Sequence, residues 1–220
     1  AFTIGNHEFN FGPATFDTML GQLEAPILGT INLDDDGGYG FINDNVQDYI
    51  NLDINGKKVT IFGLTNPRVY RYELPTNIPG LTFYSGLDTG FAAVPQILAD
   101  EAPDVLVGLT HMGYSPYGDE IDSDLLLAEG VAGIDVIIGG HSHSFLNPSV
   151  MVTSDINPDG TLVAQSGRYA TNLGKVNVGF IGGEVVMRDG YLIPANDMTV
   201  DAEMEAYLQP FLDELDVYTS

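Results

Sequence analysis

Residues 133–144 read GIDVIIGGHSHS, and this stretch decides the architecture. Asp135 to Ile138 is a short apolar run between glycines, too brief for a helix, and predicts a buried strand. Gly139 and Gly140 let the backbone turn and approach a ligand closely, and the turn presents His141 and His143 two residues apart. In open α/β sheets, ligands bind where strands end at their carboxyl sides.

The remaining histidines have the same placement. His111 follows the apolar run Asp104 to Thr110, within LTHMG (Leu109 to Gly113). His7 follows the strand candidate Phe2 to Ile4, within GNHEFNFG (Gly5 to Gly12). The chain holds four histidines, so every imidazole sits at a predicted strand exit. The expectation is that three strands deliver them to one edge of one sheet. Imidazole and amide-oxygen donors without thiolates suit Zn²⁺, Mn²⁺, Fe or Co.

Further out, short β-rich runs alternate with helical periodicity, the pattern of an α/β domain. Helices are expected from Pro13 to Leu23 (Phe16, Met19, Leu20 and Leu23 inward), Asp88 to Ala102 (Phe91, Val94, Ile97 and Leu98 inward, Pro95 kinking) and Asp119 to Glu129. Ile27 to Ile31 reads as a strand, Asn32 to Gly40 as a polar loop, and Asn66 to Pro79 as an irregular connection. Val46 to Ile54 and Val59 to Leu64 flank Asn55-Gly56, a strong hairpin signal. Val150–Thr153, Leu162–Gln165, Val176–Ile181 and Val185–Arg188 read as a meander. Asp201 to Val217 reads as an amphipathic helix with Met204, Tyr207, Leu208, Phe211, Leu212 and Leu215 on one face.

Seven basic residues against 31 acidic ones give a net charge of −24, in a chain of 220 residues and 44% hydrophobic content. That composition supports a core and offers no basic face for nucleic acid or anionic membrane. Phosphate-bearing ligands need a local cation, which a metal ion supplies. With no cysteine, disulfides, thiolate metal sites and thiol nucleophiles are excluded. No run is long enough to span a bilayer.

With GNHEFNFG, LTHMG and GIDVIIGGHSHS in this order, and VTIFGLTNP (Val59 to Pro67) and VAQSGRYATNLGKV (Val163 to Val176) as weaker matches, the sequence resembles the 5'-nucleotidase family of the calcineurin-like metallophosphoesterases. The resemblance implies a layered α-β-β-α metallophosphoesterase sandwich, incomplete at its N-terminus. It also implies hydrolysis of a phosphate monoester, with a nucleoside 5'-phosphate as the expected substrate, by hydroxide activated by two divalent metal ions (Zn, Mn, Fe, Co or Mg). Asn6, His111 and His141 match ligands of one metal and His143 a ligand of the other. His7 matches the histidine that stabilises the transition state and assists the leaving group, with Asn10 beside it. Residues 1–200 would form the catalytic core, and 201–220 a helix leading to a substrate-specificity domain. Family habit, with the acidity, points to an extracellular, cell-surface or periplasmic setting.

The family's Asp-x-His and Gly-Asp ligand motifs would precede Ala1, so a further N-terminal segment or a partner chain is expected to complete the metal site. The family also has Asp where Asn10 stands. An amide adds no negative charge beside His7, so Asn10→Asp is expected to raise turnover. The competing expectation is a catalytically weak or inactive protein of this fold with a binding or structural role in a surface assembly.

Other signals point to structure. Asp155 to Thr161 begins like a calcium loop, but the twelfth position is Ser166 rather than Glu, so a hairpin turn is expected. Asp34 to Gly38 reads as a solvated loop. Arg68 and Arg71 are read as structural ion-pair partners, and Tyr70, Tyr72, Phe83 and Tyr84 as core packing. Ser166-Gly167-Arg168 is placed near the cleft.

Overall fold

The computed structural model describes residues 1–37, 39–116 and 122–219. The first half runs β1 (Phe2–Thr3), α1 (Pro13–Leu20), β2 (Ile27–Leu28), β3 (Leu33–Asp35), α2 (Gly40–Asn45), β4 (Val46–Gln47), β5 (Tyr49–Ile54), β6 (Lys57–Leu64) and β7 (Leu81–Phe83). It continues with α3 (Gly86–Glu101), β8 (Val105–Thr110), α4 (Asp124–Gly130), β9 (Val136–Ile138), β10 (Val150–Val152), β11 (Thr161–Ala164), β12 (Asn172–Ile181), β13 (Glu184–Pro194) and α5 (Ala202–Thr219).

The main sheet has six strands in the order β10-β11-β9-β8-β6-β5. Its four central strands are parallel and its two edges antiparallel. The register pairs Leu64 with Thr110 and sets Ile138 and Ala164 level with Leu109, so the four strands end within one residue of each other and their loops leave the sheet together. A second, three-stranded parallel sheet runs β1-β2-β4. The α/β expectation therefore holds, with a refinement: His7 leaves the second sheet, while His111 and His141 leave the main one.

Each sheet carries its own core. Phe62, Leu64, Leu106 and Ile137 of the main sheet pack against Val94 and Ile97 of α3 and Leu127 and Ala128 of α4. Ile4, Phe9, Phe16, Leu20, Ile27, Tyr39 and Ile42 form the other core. In that core the Phe9 ring stacks on Phe16 at 5.3 Å and meets Phe83 edge-on at 5.5 Å. Each such ring pair is worth about 0.5–1.5 kcal/mol beyond area burial. Because Phe9 is anchored, the 3₁₀ turn His7–Phe9 is anchored with it. The two sheets are joined at their exits, where the buried Thr65 hydroxyl donates to the Ile4 carbonyl at 2.7 Å. Buried Asn32 grips Thr65 from the other side, donating to its carbonyl at 3.0 Å and accepting from its N–H at 2.9 Å.

Several expectations are corrected. Helix α1 stops at Leu20, and Met19 and Leu23 are exposed. The strand from Ile27 is shorter than expected because Gly29 turns the chain. The polar loop contains β3, which pairs with β7. Val46–Gln47 belongs to the second sheet, and only Tyr49–Ile54 forms the hairpin with β6, closed by Asn55 and Gly56 at φ 56° and 77°. Phe91 is exposed on α3, which runs through Pro95, and α4 begins at Asp124. Residues 119–121 of the expected Asp119–Glu129 helix lie outside the described residues.

The C-terminal meander is also replaced. β11 pairs parallel with β9, and β12 and β13 form a separate hairpin. Residues 155–160 do turn between β10 and β11, with Asn157 buried and bonded to Ala128 and Thr161. Helix α5 leaves Met204, Tyr207, Phe211 and Leu215 exposed, so it caps neither core. Tyr70, Tyr72 and Tyr84 are exposed rather than packed inside. Among the described residues, no helix is long and apolar enough to cross a membrane.

Candidate metal centre

Three of the predicted ligands converge. The Asn6 side-chain oxygen lies 3.1 Å from Nε2 of His111 and 3.1 Å from Nδ1 of His141. Two donors each about 2.1 Å from one cation stand about 3.0 Å apart at a right angle and about 3.4 Å apart at a tetrahedral angle. Both spacings fall in that window. Among the described residues, no three His, Asp or Glu groups are close enough to hold a cation. The convergent set is two imidazoles and an amide oxygen, and it fits one divalent ion with positions left for further donors.

The surroundings explain why the rings stand there. Asn6 is 5% exposed at the exit of β1, and His111 follows β8 with its backbone N–H donating to the Leu64 carbonyl at 2.9 Å. The His111 ring fits between two glycines. A Cβ on Gly5 or Gly140 would come within 2.8 Å of it, so neither position tolerates a side chain without moving the ring. His141 and His143 adopt positive φ, 66° and 56°, which turns the backbone sharply at the sheet edge. Strain of that kind, costing about 1 kcal/mol or more per residue, persists where neighbours over-determine it.

Gln165 supplies that determination at the exit of β11. It is 3% exposed, donates to the Gly140 carbonyl at 2.8 Å, and accepts from the Ser142 hydroxyl at 3.1 Å and the Ser144 N–H at 2.5 Å. Burial, with the charges of His141, His7 and His143 adding to it, pulls the His111 imidazole down to about 3. At neutral pH His111 is therefore uncharged and has a nitrogen lone pair for a cation.

The other predicted residues stand around this cluster. His143 is exposed on the next turn, its ring tilted against Tyr169 at 6.1 Å, and it does not join the Asn6 contact. The Arg168 guanidinium lies over the Tyr169 ring at 5.0 Å, so the turn expected near the cleft borders His143. His7 pairs through Nδ1 with the Asn10 side-chain oxygen at 2.8 Å. Tyr72, read from sequence as packing, places its hydroxyl 3.5 Å from Nε2 of His141 and its ring edge-on at 5.5 Å.

Sequence reasoning missed three neighbours. Gln165 has the signal that identified the histidines, a polar residue just past an apolar strand. Glu73 lies in an irregular connection, and Asp124 at a helix start, where nothing in the pattern marks them. At the opposite end of the sheet Lys57 meets Asp104 at 2.6 Å and Arg188 meets Asp135 at 2.7 Å. A cleft of about 840 Å³ opens there, lined by Asp104, Asp135, Asp159 and Arg188. The two ion pairs already use Asp104, Asp135 and Arg188, and no histidine lines the cleft.

The calcineurin-like phosphoesterase family matches residues 1–145. The chain is similar to the trifunctional nucleotide phosphoesterase protein YfkN of Bacillus subtilis, 30% identical over 98% of this chain and 16% of that protein. It is also similar to a 5'-nucleotidase of Diplobatis ommata, 29% identical over 91% of this chain and 35% of that one. The crystal structure of a 5'-nucleotidase precursor from Thermus thermophilus superposes with a TM-score of 0.75 at 27% identity, covering 96% of this chain and 43% of the other. The chain spans less than half the length of each of these relatives. From strand exits to matched motifs, the chain belongs to the calcineurin-like phosphoesterases, a family of hydrolases that use divalent metal ions.

Proposed function

We propose that this chain is the catalytic core of a phosphomonoesterase acting on nucleoside 5'-phosphates, working with two divalent cations outside the cytoplasm. The observation that carries it is the Asn6 oxygen held at 3.1 Å from one nitrogen of each of His111 and His141. Asn6, His111 and His141 would hold one cation, and His143 would turn toward a second whose other donors come from further chain. Bound cations supply polarisation of the phosphoryl oxygens, activation of water and neutralisation of an otherwise repelling acidic surface.

The chain's own groups do the rest. With Nδ1–H held by the Asn10 oxygen, the His7 ring that carries a second hydrogen on Nε2 stabilises developing charge and hands that Nε2 proton to the leaving oxygen. Uncharged His111 stays available as a donor to a cation at neutral pH. Residues 1–200 form this core, and α5 leads toward a substrate-specificity domain. The names of the two sequence relatives, a nucleotide phosphoesterase and a 5'-nucleotidase, support the choice of substrate.

The test uses the full protein that carries this chain. Elemental analysis should find about two transition-metal ions per molecule, and AMP should be hydrolysed faster than 3'-AMP or a 2',3'-cyclic nucleotide. Metal-free protein without turnover would sink the proposal in favour of a scaffold role; metal-dependent turnover with 3'-AMP preferred would move the substrate only.

A further inference from the structure

Asn10 occupies a position beside His7 where an amide can face either way, and its orientation is imposed from a distance. Its Nδ2 donates to Oε1 of Glu73 at 2.6 Å, across 63 residues of sequence. Its Oδ1 lies 2.8 Å from Nδ1 of His7. Glu73 is held for this contact. Its backbone N–H donates to the Val69 carbonyl at 3.0 Å, and its second oxygen accepts from Nδ2 of Asn77 at 3.3 Å. The same Asn77 nitrogen also donates to the Asn10 carbonyl at 2.8 Å.

The chemistry leaves one arrangement. A carboxylate has acceptors and no donor, so the amide nitrogen of Asn10 must face Glu73. A flipped amide would set two acceptor oxygens 2.6 Å apart. With the nitrogen committed, the amide oxygen faces His7, and Nδ1 of His7 must carry the hydrogen. Nε2 is then the nitrogen left for the substrate. The charge-assisted bond to Glu73 also polarises the amide and strengthens its oxygen as an acceptor.

We propose that Glu73 is a positioning residue that selects the His7 tautomer through the Asn10 amide. The negative charge absent from Asn10 is thereby supplied one link further out. The kinetic consequence rests on the phosphoesterase reading above; the tautomer does not.

The test reverses the polarity of the contact in the full protein. In Glu73→Lys a donor faces Asn10, so the amide turns, Nδ2 faces His7, and the hydrogen moves to Nε2. Ring-nitrogen NMR of ¹⁵N-histidine-labelled protein under alkaline conditions, with His7 assigned by its loss in His7→Gln, should show Nδ1–H in the wild type and Nε2–H in E73K. Turnover of p-nitrophenyl phosphate should fall about 10- to 100-fold in kcat, with KM within about 2-fold.

The double variant N10D/E73K restores an acceptor facing Nδ1, now ion-paired with the lysine, and should recover kcat to within about 3-fold of wild type. If E73K does not fold, Glu73→Leu carries the same test, because an amide with no acceptor opposite it is released and both tautomers appear. An unchanged Nδ1–H tautomer in these variants overturns the proposal, as does, where the wild type turns over, N10D/E73K turning over no faster than E73K. Inverted tautomers in a protein without any turnover would uphold the positioning role and overturn the enzymatic reading instead.

Discussion

The Thr110 hydroxyl donates to Oδ1 of Asp124 across 2.5 Å, directly behind the strand exit that carries His111. Both residues are buried, and Oδ2 of Asp124 has no hydrogen-bond partner. Burial raises the carboxyl from 3.8 to about 7, and the bond from Thr110 opposes that rise only in part. Between about pH 4 and about pH 7 the folded protein holds a proton here that the unfolded chain has released. Stability must therefore fall as pH rises through that window, by an amount on the order of 4 kcal/mol.

Asp124→Asn removes this dependence because an amide does not titrate. Urea unfolding of metal-free wild type and D124N across pH 4 to 8 should show the wild type losing ground to the variant as pH rises. His111 works in the other direction: its depressed value costs stability as pH falls from about 6.5 toward about 3. That effect is common to both proteins and cancels in the difference. A difference that stays flat with pH would mean that Asp124 remains ionised in the fold.

Gly140→Ala tests the fit of the His111 ring. An added methyl would lie 2.8 Å from Nδ1 and 3.3 Å from Cε1, so the ring must shift and carry Nε2 away from the Asn6 oxygen. Calorimetric Mn²⁺ affinity should drop about 10-fold or more, the scale seen when a ligand's support is disturbed. Gly174→Ala, whose methyl would meet only ordinary contacts at 3.7 and 4.0 Å, should bind as wild type does.

The legible part of this site is the part that short-range pattern encodes. Apolar runs that end in glycine and a polar residue marked the exits at His7, His111 and His141, and parallel pairing then brought them together. The assignment of His7 to a second sheet was hidden because β1 and β8 read alike as apolar runs; which strands pair depends on contacts far apart in sequence. Glu73 and Asp124 were invisible for a similar reason. Each works by an oxygen aimed at a residue on another segment, Asn10 or Thr110, and nothing beside it in sequence records that aim. In α5 the periodicity was clear, yet its apolar face is exposed, since amphipathicity specifies a face and not its partner.

Gln165→Leu keeps much of the volume and removes three bonds, to Gly140, Ser142 and Ser144. The Ser144 N–H loses its partner in a half-buried turn, and the Gly140 carbonyl keeps only the Ser142 N–H at 2.8 Å, which together costs about 1–3 kcal/mol in chemical denaturation. The same loss frees the backbone that holds His141 and His143 at positive φ. Metal affinity should therefore fall together with stability. Gln165→Glu, which keeps both acceptor positions but loses the donor to Gly140, should fall between the wild type and the leucine variant on both measures.

Chelation gives the most direct check on the Asn6, His111 and His141 cluster. A cation that binds only the folded state stabilises it by about 2.7 kcal/mol at a free concentration one hundred times its dissociation constant. Treating the full protein with a chelator should lower its melting temperature by several degrees, and adding Mn²⁺ should restore it. In His111→Ala the restoration should largely vanish, because an imidazole donor is gone and the Asn6 oxygen keeps only His141 as its neighbour. His143, which stands outside the Asn6 contact, makes the contrast: the His143→Ala variant should retain the part of the shift that belongs to the first cation. If H111A responds to Mn²⁺ as fully as the wild type does, the ion binds elsewhere, and the convergence of the two rings on Asn6 is packing alone.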